Sequence, residues 1–268
     1  MNTTTTDTTT DTNTVFAEFM ASVDDDCTLV NGDCKEVLPY IASGSVDLIV
    51  TDPPYSTGSG GKYKPEGTAA GVIHKAGWGV SVLKENDGKL FAENSILPRE
   101  YMAEFYRVLK PDADCYVMCN AKNMEAFLKA GREAGFRLHN ILAWKKNTVI
   151  VNRWYGKNIE FTLYFYKGRA RKIKNLSSTM VFEAPNPRKK RHPTEKPVSL
   201  MRHYIENSSS VGDYVLDPFM GSGTTGVACE ATGRHFFGIE LGRDEFNVAH
   251  QRLIPDAEII ETRPVHQK

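Results

Sequence analysis

Two short stretches carry residue types and spacings that can do chemistry. The first is Asp52-Pro53-Pro54-Tyr55, which closes the apolar run Val46-Asp-Leu-Ile-Val-Thr51. Proline fixes φ and donates nothing to a ladder, so the pair stops a strand and leaves carbonyl oxygens with no local amide partner. A carboxylate, a carbonyl and an aromatic ring side by side can grip a planar amine. The two oxygens accept its N–H bonds and the ring stacks on its face. The second stretch is Gly221-Ser222-Gly223-Thr224-Thr225-Gly226, which follows a strand-like segment and opens a helical one. Glycines there permit a tight turn and close backbone approach, and a helix N-terminus favours negative charge. Glu240 ends the next strand, 17 residues after Gly223, where an acid can accept hydrogen bonds from ribose hydroxyls. Together these point to an adenosine-containing cofactor. The plainer readings are a structural turn and a bare strand stop.

Both stretches need strands that end at a common edge. Hydrophobic patterning predicts strands at Cys27–Asn31, Val46–Thr51, Asp114–Cys119, Phe136–Trp144, Ile159–Tyr166, Tyr214–Leu216 and His235–Glu240. It predicts helices at Lys35–Ala42, Arg99–Leu109, Ala121–Ala134, Val198–Asn207, Thr225–Thr232 and from about Asp244 to before Pro255. Alternating strands and helices imply an α/β fold, a doubly wound and mostly parallel sheet with crossover helices on both faces. In such sheets ligands bind at the C-terminal strand ends. Residues 1–14 hold nine threonines and no aliphatic residue but Met1, and are expected to be disordered. One domain is expected over 15–268. It carries a glycine-rich loop, 56–97, that closes over substrate, and a small basic insertion, 168–191.

Composition bounds the remainder. The 268 residues are 41% hydrophobic and 25% charged, which is ordinary globular usage. No apolar run approaches the ~20 residues of a membrane span, and the Met-Asn-Thr-rich start, without a basic-then-apolar order, is not expected to act as a secretory signal. Five scattered cysteines without a Cys-x-x-Cys pair disfavour a disulfide framework and fit reduced thiols in a cytoplasm. The seven histidines show no metal-ligand spacing, so no metal is expected. Net charge is zero, yet Ala143–Lys196 holds 14 Lys and Arg against three acids. A local excess of that size suits a polyanion, or a solvated basic face.

Asp52-Pro-Pro-Tyr55 and Asp217-Pro-Phe-Met-Gly-Ser-Gly223 resemble the two signature motifs of the amino-group DNA methyltransferases. The base-binding motif comes first, as in the family's circularly permuted β group. His192-Pro-Thr-Glu-Lys-Pro197 ahead of the cofactor motif, and Asn31-Gly-Asp33 about twenty residues before Asp52, are similar to that group's segments. The resemblance implies that S-adenosylmethionine is held by Asp33, Thr194, Lys196, Asp217, Phe219, Gly221, Ser222, Gly223, Thr224, Thr225 and Glu240. Within that set, Asp33 meets the adenine amino group and Glu240 takes the ribose. Asp217 and the Gly221–Gly223 turn meet the methionine part, Thr224 and Thr225 its carboxylate, and Thr194 and Lys196 close that pocket. The resemblance also implies that Asp52, Pro53, Pro54 and Tyr55 hold a flipped target base for direct methyl transfer. Double-stranded DNA is the implied partner, and members of the group often pair, so a homodimer is among the expected assemblies. Lys145, Lys146, Arg169, Arg171, Lys172, Arg188, Lys189, Lys190 and Arg191 are candidates for the DNA phosphates. Many cytosine-N4 enzymes begin the tetrapeptide with Ser, so Asp52 favours adenine-N6; the resemblance also implies a role in restriction-modification. Cytosine-N4 methylation stays open, as do a nicotinamide-dependent dehydrogenase and a catalytically silent DNA-binding protein.

Overall fold

The computed structural model describes residues 26–54, 96–150, 155–185 and 195–255. The threonine-rich tail, Tyr55 with almost all of the glycine-rich loop, Arg188–Arg191 and Thr194 lie outside the described residues. The elements are β1 (Cys27–Asn31), α1 (Cys34–Val37), β2 (Val46–Thr51), α2 (Met102–Val108), β3 (Leu109–Cys119), α3 (Met124–Ala134) and β4 (Arg137–Ile150). They continue with β5 (Lys157–Tyr166), β6 (Val181–Glu183), α4 (Val198–Ser208), β7 (Tyr214–Asp217), α5 (Thr224–Glu230), β8 (His235–Glu240) and α6 (Arg243–Leu253).

The eight strands form one sheet in the order β1-β8-β7-β2-β3-β5-β4-β6. The fold is α/β, and the sheet is mostly parallel as expected. β5 alone is reversed among the described strands, antiparallel to both β3 and β4. β4 ends at Ile150 and β5 begins at Lys157, too short a link for a crossover helix. Without a crossover the chain can return only antiparallel.

Side-chain alternation along the strands builds two cores. Val30, Ile49, Cys115, Val117, Leu163, Leu216 and Ile239 point to one face, where α1, α2 and α3 bring Val37, Phe105 and Phe127. Leu29, Leu48, Val50, Tyr116, Met118, Val215 and Phe236 point to the other, covered by Leu200, Met201, Tyr204, Ala228, Phe246 and Ala249 from α4, α5 and α6. Period-two strands between period-3.6 helices thus give three layers. Trp144 is buried in the second core and donates its indole N–H to the Ala184 carbonyl at 2.9 Å.

The expected helix over Lys35–Ala42 is one α turn followed by a 3-10 turn at Leu38–Tyr40. Pro39 lacks the N–H needed to continue an α ladder. The strand expected from Asp114 begins at Leu109. It bulges where the pairing slips between Val46–Leu109 and Leu48–Asp114, the place where Pro111 and Asp112 (φ +62°) sit. The described part of the insertion runs from the end of β5 and adds β6 alongside β4.

The close packing of α5 on β8 gives a test. A Cβ at Gly226 would lie 2.7 Å from the Phe236 ring and 2.6 Å from Leu253 Cδ1. Gly226→Ala should therefore lower stability by about 1–3 kcal/mol, the scale of core overpacking. A denaturant titration with an unchanged midpoint would contradict this packing.

Candidate active site

β2 and β7 are parallel neighbours, with Leu48 opposite Val215 and Ile49 opposite Leu216. Their C-terminal ends, Thr51 and Asp217, therefore meet at one edge, and the loops beyond them carry the two candidate motifs. Asp217 binds those loops together. Its Oδ1 accepts from the Thr51 hydroxyl at 2.7 Å and from the Phe219 amide at 3.1 Å. Its Oδ2 accepts from the Thr225 hydroxyl at 2.6 Å. The side chain is almost wholly buried, and burial pushes its pKa up to about 6 against the pull of the three donors. The sequence assigned Asp217 to the cofactor's methionine part and Thr225 to its carboxylate. In the structure both Asp217 oxygens and the Thr225 hydroxyl proton are engaged within the protein, where they shape the turn.

The turn itself runs through left-handed backbone at Gly221 (φ +52°) and Gly223 (φ +78°). A Cβ at Gly221 would meet nothing within 4 Å, so this backbone faces open space. One at Gly223 would press on Ala249 at 3.1 Å. Glycine thus gives ligand access at the first position and helix packing at the second. Glu240 reaches the same turn from the end of β8. Its Oε2 accepts from the Gly221 amide at 2.9 Å and its Oε1 from the Gly242 amide at 2.8 Å. Each oxygen retains a lone pair for a hydroxyl donor. Burial pushes this carboxyl up to about 7, against the two amides.

β1 lies beside β8, and the Asn31 side chain donates to the Glu240 carbonyl at 2.8 Å. Asp33, expected at the cofactor's adenine, caps α1 by accepting from the Lys35 amide at 2.9 Å. It is half-buried and lies two residues beyond the end of β1. Phe219 packs edge-on against Tyr101, with ring centroids 5.0 Å apart.

Lys196, expected at the methionine pocket, is placed on Asp52: its ammonium bonds Asp52 Oδ2. Glu160 Oε2 is 3.5 Å from the same ammonium, and Lys146 bonds the other Glu160 oxygen. Burial pushes Glu160 up, but the Lys196 and Lys146 ammoniums outweigh it and hold the carboxyl below its usual range. Glu195 and Ser222 are joined by Arg252 of α6. Its Nη1 donates to the Ser222 carbonyl at 2.5 Å and lies 3.4 Å from Glu195 Oε1. Thr51, Glu160 and Arg252 escaped the sequence reading. Thr51 had one available signal, its place directly before Asp52. Glu160 had another, a lone acid within a run of β-formers.

The DNA candidates separate. Lys145 and Lys146 lie on β4 beyond the level of Cys119, toward the site edge, paired with Glu183 and Glu160. Arg169 pairs with Asp112, five residues before Val117, which lies opposite Thr51. That places it ~16 Å down the strand, at the sheet's far edge. The Arg171 charge also helps hold the Asp112 carboxyl down, and Lys172 follows it, exposed. The structure does not bring Arg169, Arg171 and Lys172 together with Asp52. The reversed β5 carries the chain away from the site before Gly168.

A family model described as DNA methylase, of the N6/N4 methyltransferases, matches residues 46–251. This chain belongs to that family. The methylase is 28% identical over 247 residues to the type II methyltransferase M2.DpnII of Streptococcus pneumoniae, covering 84% of this chain and 88% of the relative. It is 30% identical over 247 residues to M2.LlaDCHI of Lactococcus lactis subsp. cremoris, with the same coverage. The M1.HpyAVI–SAM complex superposes with a TM-score of 0.62 at 26% identity, over 85% of this chain and all of that one. The cytosine-N4-specific PvuII DNA methyltransferase shares the fold, with a TM-score of 0.64 at 19% identity over 87% of this chain and 88% of that one. The dehydrogenase alternative is set aside by the family match. No helix among the described residues is long and apolar enough to cross a membrane.

Glu240 gives a pH test. Hydroxyl donors favour its ionised form, so cofactor affinity of the methylase should weaken as pH falls from 8 through about 7 toward 6. In Glu240→Gln that dependence should vanish. Calorimetry across this window checks it, and a wild-type affinity flat from pH 8 to 6 would contradict the assignment.

Proposed function

We propose that this methylase transfers a methyl group from S-adenosylmethionine to the N6 amino group of adenine in DNA, with the base turned out of the helix. The observation that carries the reading is the Thr51–Asp217 hydrogen bond. It fixes an amine-gripping carboxylate, Asp52, beside a glycine turn backed by a ribose-binding acid, Glu240.

The residues present fit that cofactor. The Gly221 backbone faces open space, Glu240 keeps acceptor capacity for a vicinal diol, and the Asn31–Asp33 segment borders the same edge. S-adenosylmethionine supplies an electrophilic methyl on a sulfonium centre. Asp52 and the Pro53 carbonyl accept the two N–H bonds of the target amino group. This raises electron density on a nitrogen whose lone pair is otherwise drawn into the ring, and aims that pair across the edge. Tyr55 stacks on the base, a contact worth ~1–3 kcal/mol. Inside a duplex the amino group cannot reach this edge, so extrusion precedes transfer. Asp52 at the head of the tetrapeptide favours adenine. Lys145, Lys146 and the basic run Arg188–Arg191 are proposed to meet phosphates. Arg169, Arg171 and Lys172 are left out of that face by their position.

Asp52→Ala removes the acceptor and leaves the glycine turn intact. Methyl transfer should fall by roughly 10²-fold or more, the scale of losing one positioned polar group in a site. S-adenosylmethionine binding should persist. Labelled DNA digested to nucleosides and resolved by mass spectrometry should contain N6-methyladenine. N4-methylcytosine would overturn the choice of base, and near-normal transfer by Asp52→Ala would overturn the site.

A further inference from the structure

Four charged side chains at the site form a row: Lys146, Glu160, Lys196, Asp52. Three come from elements far from Asp52 in sequence: Lys146 and Glu160 from the paired strands β4 and β5, and Lys196 from the segment before α4. Lys196 has 9% of its side chain exposed, Lys146 has 16% and Glu160 has 25%. Charges this sheltered are costly unless arranged for a purpose or well paired.

The arrangement is uneven. Lys196 bonds Asp52, the carboxylate that must receive the target amino group. The other carboxylate within reach, Glu160, offers Oε2 from 3.5 Å, and that buried oxygen makes no hydrogen bond among the described residues. Lys146 holds Glu160 by its opposite oxygen, so the carboxylate is fixed with Oε2 toward Lys196. The ammonium therefore bonds one carboxylate closely and pairs with the other at longer range, within a small displacement of a full hydrogen bond to it. An amine that reaches Asp52 Oδ2 competes with Lys196 for that oxygen.

We infer that Glu160 is a positioning residue that receives the Lys196 ammonium when the base enters, releasing an oxygen of Asp52 to the amino group. The inference rests on the methylase reading above and deepens it. Glu160 touches neither base nor cofactor. Its action passes through Lys196, and Lys146 sets its orientation. The ammonium keeps an ionic partner throughout, so the exchange avoids stranding a buried charge.

A double-mutant cycle tests this. Single-turnover transfer of tritiated methyl from S-adenosylmethionine to unmethylated DNA is measured for wild type, E160Q, K196Q and the double variant, with cofactor affinity read separately by calorimetry. E160Q should lower the transfer rate constant at least about 10-fold with cofactor affinity within about two-fold, because a neutral amide is the weaker acceptor for an ammonium. In the K196Q background the same change should cost less than about two-fold, since no ammonium is left to receive. Equal losses in both backgrounds, or an unaltered rate in E160Q, would overturn the role. If E160Q does not fold, E160D runs the same cycle, keeping the charge but withdrawing it by one methylene. Wild-type transfer tests the methylase reading. The ratio of losses tests Glu160 alone, and it reads the same whether adenine or cytosine accepts the methyl group.

Discussion

A buried carboxylate holds this site together. Asp217 ends β7 inside the protein, where an anion is costly, and three donors from three places in the chain converge on it. Thr51 brings the end of β2, Phe219 the start of the glycine turn and Thr225 the first turn of α5. Loss of any one donor leaves a buried acceptor short, at a cost of about 1–3 kcal/mol. That penalty keeps the Asp52 loop and the glycine turn in a single relative position. The Asp52 charge adds a small upward push to the Asp217 carboxyl. Asp52 can be aimed because Thr51, the residue before it, is tied down.

Parallel strands explain why the two motifs share an edge although Thr51 and Asp217 lie 166 residues apart in the chain. Register between β2 and β7 places the strand ends side by side, and crossover helices return each strand in the same sense. The reversed β5 adds what a wholly parallel sheet would not. Its first residues start at the site edge, so Glu160 arrives next to Lys196. Its last residues leave at the opposite edge, so the basic segment is divided between the two ends of the sheet.

Much of this was legible in the sequence. The β8 span and the order of strands and helices followed from apolar periodicity, and both motifs were placed at strand ends. What was not legible depended on contacts across long stretches of chain. Nothing near Arg252 marks it as a partner of Ser222 and Glu195, because that contact exists only once α6 has packed. The bonds of Asp217 to Thr51 and Thr225 were hidden because its position in the motif is visible in the sequence and its burial is not. The contact of the Lys196 ammonium with Asp52 was hidden as well, because the two residues lie 144 positions apart in the chain. The basic count over Ala143–Lys196 was correct as a sum but carried no information about which charges were paired.

The central claim is that one edge of one sheet holds the methyl donor and the amino acceptor in line. A crystal structure with S-adenosylhomocysteine bound tests it most directly. The account predicts the ribose hydroxyls on Glu240, the ligand over Gly221, and the sulfur facing Asp52 and Pro53 with room for a methyl group and an amino nitrogen at ~3–3.5 Å. A ligand lodged elsewhere, or a sulfur turned away from Asp52, would contradict it.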